Sequence, residues 1–435
     1  MKKAIKGLAA VLAAGMLAGC AGSASQQQPQ AQGFAPSLDT NASLTLEIAG
    51  FLGNFEALDQ VVNNFNEIYP NVIITYEQNG AEKLAAYLEN NRHVDIFMTA
   101  DVNLRYPDQP ERYVADQCED LAAAGVDTSA VRPEMMASCV YDGKTLRLPL
   151  GGAVSGMAVN KTLLEKEGLS VPTNYPDFLN TLAALKEKGY TPIQGGGTRV
   201  YTGLVVNEIL AQLGSDEALL QAVKNGEESA QDVLAAAFAQ ESEILQAGYT
   251  DTALNAEYPE DNYDGAIMNF FEGDVPFWFC SSENFGGTKK RETKSEAFTA
   301  NPFEYEFSYI PMGENGVYAY SESWNGFSVN KNSDSKDYAI EFMRFLAQDD
   351  QMQIMAQIKG MPTVTATNSD ERYESVCSAP QVQLAYTNDG SIESYVRSNV
   401  ESVAYGFAMG QIATPEAAAQ KVLSLCAQTT QKMAG

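Results

Sequence analysis

The chain of 435 residues has one histidine, His93, and two tryptophans, Trp278 and Trp324. A Ser-His-Asp triad would have to use His93, and the G-x-S-x-G elbow is missing because Ser155 lacks the glycine two residues before it. Basic residues are scarce, 28 against 56 acids, for a net charge of −28. Such a surface repels nucleic acid and anionic headgroups, so neither is an expected partner. The six cysteines form no C-x-x-C pair, which argues against a zinc cage. A phosphate-cradling P-loop is also absent. Glu260–Gly265 hints at a calcium loop, but its twelfth position is Phe271 rather than a carboxylate. Ser333-x-x-Lys336 lacks companion serine–lysine motifs, and helix capping explains it. No cofactor or metal is expected. By residue type alone, the many acids leave a glycosidase carboxylate pair open.

The N-terminus supplies the first positive signal. Lys2, Lys3 and Lys6 precede an apolar run from about Gly7 to Leu17, shorter than the roughly 20 residues a membrane span needs. A basic start, a short apolar core and small residues describe a secretory leader. Leu17-Ala18-Gly19-Cys20 resembles the lipobox of bacterial lipoproteins, which implies cleavage after residue 19 and lipid on Cys20. Loss of the leader lysines leaves the chain three charges more negative. From 20 to 42 a Gln/Ser/Pro/Ala-rich stretch cannot bury apolar surface and reads as a flexible linker. Cys118–Cys139 and Cys377–Cys426 are candidate disulfides by proximity in an oxidising compartment, and buried thiols are the equal alternative.

Beyond the linker the chain is long enough for two lobes. LTLEIAG (residues 44–50) reads as a strand, and Phe55, Leu58, Val61, Val62, Phe65 and Ile68 recur at helical spacing before Pro70. Val72–Tyr76 is a second strand, Leu84–Leu88 a helix, and Val94–Met98 a third strand. This alternation implies βαβ units and a mostly parallel sheet. Asn174 and Asp177 form a capping box ahead of Phe178, Leu182 and Leu185. Ala339, Phe342, Met343 and Leu346 form another apolar face. Thr414-Pro415-Glu416 opens the last helix. Asp232–Leu245 is helical without a legible packing face.

Motifs further along the chain carry a family resemblance. DGKTLRLPLGGAVSGMAVNKTLLEKEGLSVPTNYPDFLNTL resembles the central motif of family 1 extracellular solute-binding proteins, the lipoprotein receptors of carbohydrate ABC importers. Gly143-Lys144, Pro149, Asn160-Lys161, Gly168 and Pro172 match, while Asn174-Tyr175-Pro176-Asp177-Phe178 stands where Thr-Trp-x-Glu-aromatic is usual. FFEGDVPFWFCSSEN, YIPMGENG, WNGFSVNKNSDSKDYAIEFMRFLAQDDQ, KGMPT and GQIATPEAAAQKVL resemble later landmarks in the right order. The resemblance implies an α/β, two-lobed, type II fold like that of maltose-binding protein, with an interlobe ligand cleft. The boundaries it implies are 43–150 plus 311–362 for the first lobe and 151–310 plus 363–435 for the second. Crossings are expected near Leu150–Ala153, Pro311–Gly313 and Pro362. Its partners are a mono- or oligosaccharide and ABC permease subunits, its state is a monomer, and it is not an enzyme. A sugar sensor serving a signalling receptor, or a cell-surface carbohydrate-active enzyme, is the alternative.

Rings suit the faces of a pyranose, and carboxylates and amides suit its hydroxyls. Trp324, in a polar Ser-Glu-Ser-Trp-Asn-Gly loop, and Tyr201, after a glycine run, are the expected stacking rings. Glu283 and Asn284 are expected hydroxyl partners by counting along the family motif, which leaves Trp278 in the core. Phe51 and Asp101 follow the first and third strands, at carboxyl ends where open α/β sheets bind ligands. Lys289-Lys290-Arg291 is read as a solvated loop, with a cleft loop for an acidic sugar as the sharper alternative.

Overall fold

The computed structural model describes residues 3–4, 33–50, 56–78, 94–99, 105–106, 109–136, 139–196, 198–258, 262–314, 316–359, 364–365, 367, 370–377, 382–385 and 394–434. Cys20, Phe51, His93 and Asp101, the expected helix at Leu84–Leu88 and the crossing at Pro362 lie outside the described residues. The chain divides into two compact units, 1–131 with 139–150 and 325–358, and 132–138 with 151–324 and 359–435.

The first unit opens with β1 (Leu44–Gly50), α1 (Glu56–Asn66), β2 (Val72–Gln78) and β3 (Ile96–Thr99). β1 lies between β2 and β3 and is parallel to both, as the βαβ reading requires. Leu58, Val61, Val62 and Phe65 of α1 are fully buried, at the spacing read from the sequence.

The chain then enters β4 (Leu148–Asn160), a 13-residue strand that begins in the first unit and runs into the second. α2 (Lys161–Lys166), α3 (Tyr175–Glu187), β5 (Ile193–Gly195), α4 (Arg199–Ser215) and α5 (Gln231–Gln246) follow. In α3, Asn174 Oδ1 accepts from Asp177 N at 2.9 Å and its Nδ2 donates to the Asp177 carboxylate at 2.9 Å, a reciprocal capping box. β6 (Phe277–Ser281) and the short α6 (Ser282–Gly286) come next. β7 (Tyr305–Ser308) then leads to β8 (Val317–Val329). β8 returns the chain to the first unit after Trp324, whereas the sequence reading puts that crossing at Pro311–Gly313. Trp324 is therefore a strand residue and not a loop tip.

Within the first unit, Gly326–Val329 of β8 pairs antiparallel with β3, followed by α7 (Lys336–Leu346) and α8 (Asp349–Lys359). Phe65 meets Phe342 and Phe345 of α7 edge to face at 5.2 and 5.5 Å. Lys336 pairs with Glu119 at 2.8 Å and Ser333 Oγ donates to Asp95, so the Ser-x-x-Lys spacing serves packing. The second unit closes with α9 (Ser394–Ala408) and α10 (Pro415–Ala434), and Thr414 Oγ1 accepts from Ala417 N at 3.2 Å. Its sheet places β4 antiparallel to β6 and β7, and β6 parallel to β5. The face of α5 that the sequence hides is Leu234, Ala237, Phe238, Glu241 and Ile244, buried in the same core as residues of α4, α9 and α10.

Cys118 and Cys139 stand as buried thiols rather than as a disulfide, and Cys139 Sγ accepts from Arg147 Nε at 3.4 Å. Cys426 is likewise a buried thiol, accepting from Asn399 Nδ2 at 3.7 Å, and Cys280 is buried in the middle of β6. Burial raises the Cys280 thiol far above its usual range, so it packs as a small hydrophobe.

Candidate functional site

Two strand ends of the second unit meet on one side of its sheet. β5 and β6 run parallel and finish there at Gly195 and Ser281, while the antiparallel β4 passes the same level at Ser155, opposite Ser281. Carboxyl ends of parallel strands leave backbone groups and helix N-termini facing the same space. A Cβ on Gly195 would lie within 3.0 Å of Val200 Cγ2, so only glycine lets the first turn of α4 fold back this tightly. Ser282 Oγ fixes β6 to β4, accepting from Val154 N at 3.1 Å and donating to Gly152 O at 3.3 Å.

The first turn of α4 and one face of α9 enclose a cavity of about 420 Å³ in this unit. Thr198, Arg199 and Thr202 come from α4 and its start. Arg397, Ser398, Glu401, Ser402 and Tyr405 come from α9, at the i, i+4, i+8 spacing that puts side chains on one face. Arg397 Nε donates to Glu401 Oε1 at 2.9 Å, an ion pair one turn apart. Arg199 differs: its Nε is buried without a hydrogen-bond partner, and it forms no ion pair among the described residues. Two smaller cavities, about 360 and 320 Å³, border pairs such as Lys161–Glu306 (3.3 Å) and Lys336–Glu119 (2.8 Å).

The sequence-predicted residues divide sharply. Tyr201 is 1% exposed, and its hydroxyl accepts from Asn255 Nδ2 at 3.2 Å. Burial raises its pKa, and no ring face remains for a ligand. This corrects the stacking role, because at the third position of α4 the side chain turns into the helix packing. The aromatic that reaches the cavity is Tyr405, 40% exposed, whose ring lies 6.2 Å from that of Tyr201. Glu283 is exposed on α6 and Asn284 is half-buried beside it, its backbone N–H bonded to Ser281 Oγ at 3.2 Å. Surrounding protein raises the Glu283 carboxyl, and the positive charge of Arg199 pulls it partly back. α4 and α6 therefore present Arg199 and Glu283 from neighbouring strand ends. Trp278 is 3% exposed and packs 5.7 Å from Phe270, as expected of a core residue.

Sequence reading missed Arg199, Arg397, Glu401 and Tyr405. The i, i+4 charge pair inside S-Y-V-R-S-N-V-E-S-V-A-Y was the available signal, but nothing in the sequence says which side of α9 faces a cavity. The basic run splits: Arg291 stacks 5.0 Å from the Tyr263 ring, pairs with Asp264 and donates to Gly287 O at 2.8 Å, while Lys289 and Lys290 are exposed. Only the lysines fit the solvated-loop reading. Asn262 of the calcium-like segment caps a helix, accepting from Gly265 N at 3.3 Å.

A family model for bacterial extracellular solute-binding proteins matches residues 50–353. A probable sugar-binding periplasmic protein of Rhizobium meliloti (strain 1021) is 30% identical over 77 residues, covering 18% of this chain and 19% of that protein. The aligned part thus spans about a fifth of that relative's length. Among solved structures, the sugar-binding protein MalE from the phytopathogen Xanthomonas citri superposes with a TM-score of 0.71 at 15% identity, covering 90% of this chain and 98% of that one. A family 1 extracellular solute-binding protein from Bifidobacterium longum subsp. infantis gives 0.65 at 14%, covering 89% and 100%. The GacH receptor of Streptomyces glaucescens, solved unliganded and with acarbose, gives 0.63 at 16%, covering 90% and 99%. At these identities the likeness is one of fold.

Proposed function

Because the chain belongs to the bacterial extracellular solute-binding protein family, we propose that it binds a mono- or oligosaccharide and hands it to the permease subunits of an ABC importer. The observation that carries this reading is the α4–α9 cavity. Its 420 Å³ falls within the range of small-ligand pockets, roughly 300–1,000 Å³. Four hydroxyl side chains and the Glu401 carboxylate suit a rim of sugar hydroxyls, and the exposed Tyr405 ring suits a C–H face. Glu283 and Asn284 on α6 are proposed as further hydroxyl partners, with Glu283 within the field of Arg199. Phe51 and Asp101 are proposed ligand contacts from their sequence positions, each just past the carboxyl end of a parallel strand. Trp324 stands where β8 passes from one unit to the other.

The chain passes between units after residues 131 and 138, inside β4, inside β8 and after Ile358. Such crossings suit hinge closure on a ligand, driven by its greater affinity for the closed state. Binding and release involve no covalent step. Lipid on Cys20 would hold the receptor, as a monomer, at the outer face of the cell membrane.

A thermal-shift screen over neutral and acidic saccharides tests the reading. Ligand at about 100 times its Kd should stabilise the fold by roughly 2.7 kcal/mol. Unchanged melting with every saccharide, together with cleavage of any oligosaccharide supplied, would replace the receptor by an enzyme.

A further inference from the structure

We infer that the saccharide carries a carboxylate and that Arg199 is the residue that receives it; this rests on the sugar-binding reading above. The cavity holds two guanidinium groups in different states. Arg397 already has the Glu401 carboxylate 2.9 Å away, so its charge is answered within the protein. Arg199 has a buried Nε with no acceptor and no ion pair among the described residues. Glu283 acts on Arg199 only as a nearby charge, without a bond between them. Cys280, the other group that feels this charge, is buried and protonated, so it supplies no anion.

A buried donor left unmet is costly, and more so when it is charged. Thr198, Thr202, Ser398 and Ser402 can meet the hydroxyl groups of a neutral sugar, but such a sugar brings no negative charge to the cation. A carboxylate answers it with two parallel N–H···O bonds, the geometry for which a guanidinium is built. The basic run at Lys289–Arg291 is not the acid-reading element, since Arg291 is bonded to Asp264 and Gly287 O.

The test is calorimetric titration of the purified full chain with D-glucuronate, D-galacturonate and digalacturonate, beside glucose, galactose and the methyl esters of the acids. At least one acid should bind about 30-fold more tightly than its uncharged counterpart, because removing the carboxylate leaves the arginine unmet. Arg199→Gln should bring the two within about threefold of each other at a melting temperature no lower than that of the unaltered protein, while Arg199→Lys keeps part of the preference. Neutral sugars binding as tightly as the acids, or an acid preference that survives in Arg199→Gln, would overturn the inference and leave the sugar reading standing. Failure of every saccharide to bind would remove both.

Discussion

Two buried glutamates show how neighbours decide the charge of a side chain. Glu341 on α7 is 1% exposed yet ionised: burial opposes its charge, but Ser37, Tyr69 and Arg344 all donate to it and hold its carboxyl below the usual range. Glu241 on α5 is fully buried with neither oxygen bonded, and burial alone drives its pKa well above the usual value. A carboxyl raised in this way keeps a proton that the unfolded chain has lost, so stability falls as pH climbs from about 4.5 toward the raised value. Glu241→Leu should therefore raise the urea midpoint, by about 1–3 kcal/mol in stability at pH 8 and by less at pH 5. An equal gain at both values would show that Glu241 does not titrate on unfolding. The sequence marks both residues only as acids within helices. Their opposite states come from partners 272 and 304 residues away in one case, and from the lack of any in the other.

At the scale of elements, local rules placed some helices and strands and missed others, α4 and α9 among them. The capping box at Asn174, the α1 face and the β1–α1–β2 unit follow from residues within one turn or one strand of each other. β8 did not follow, because its polar Ser-Glu-Ser-Trp-Asn-Gly segment reads as a loop until its pairing is known. What makes it a strand is non-local: Val317–Tyr320 pairs with Val382–Ala385, and Gly326–Val329 pairs with β3. Gly326 lies opposite Thr99, and a Cβ there would come within 3.0 Å of Leu148 O and of the Arg147 side chain. Arg147 is fully buried and donates to Thr99 O at 3.1 Å, so this crossing of strands is held from beneath. Gly326→Val should cost about 2 kcal/mol or more, because a backbone carbonyl cannot move aside. Urea unfolding measures it, and an unchanged midpoint would mean that the strands separate freely at this point.

For the molecule as a whole, the charge of −28 opposes adsorption to an anionic membrane surface, and no helix among the described residues is long and apolar enough to cross one. Acyl chains on Cys20 are the proposed hold. Cys20→Ala should move nearly all of the protein from the detergent phase to the aqueous phase on partitioning, and retention in the detergent phase would point to another anchor. The sequence by itself determined the βαβ order, the capped helices and the landmarks of the family. Each of these is a matter of composition, period or short spacing, carried by neighbouring residues. Only tertiary structure decided that Tyr201 is core, that Tyr405 and Arg199 line the α4–α9 cavity, and that Glu401 pairs with Arg397 while Arg199 forms no ion pair among the described residues. Burial and charge balance are properties of residues brought together from distant parts of the chain, and no local pattern records them.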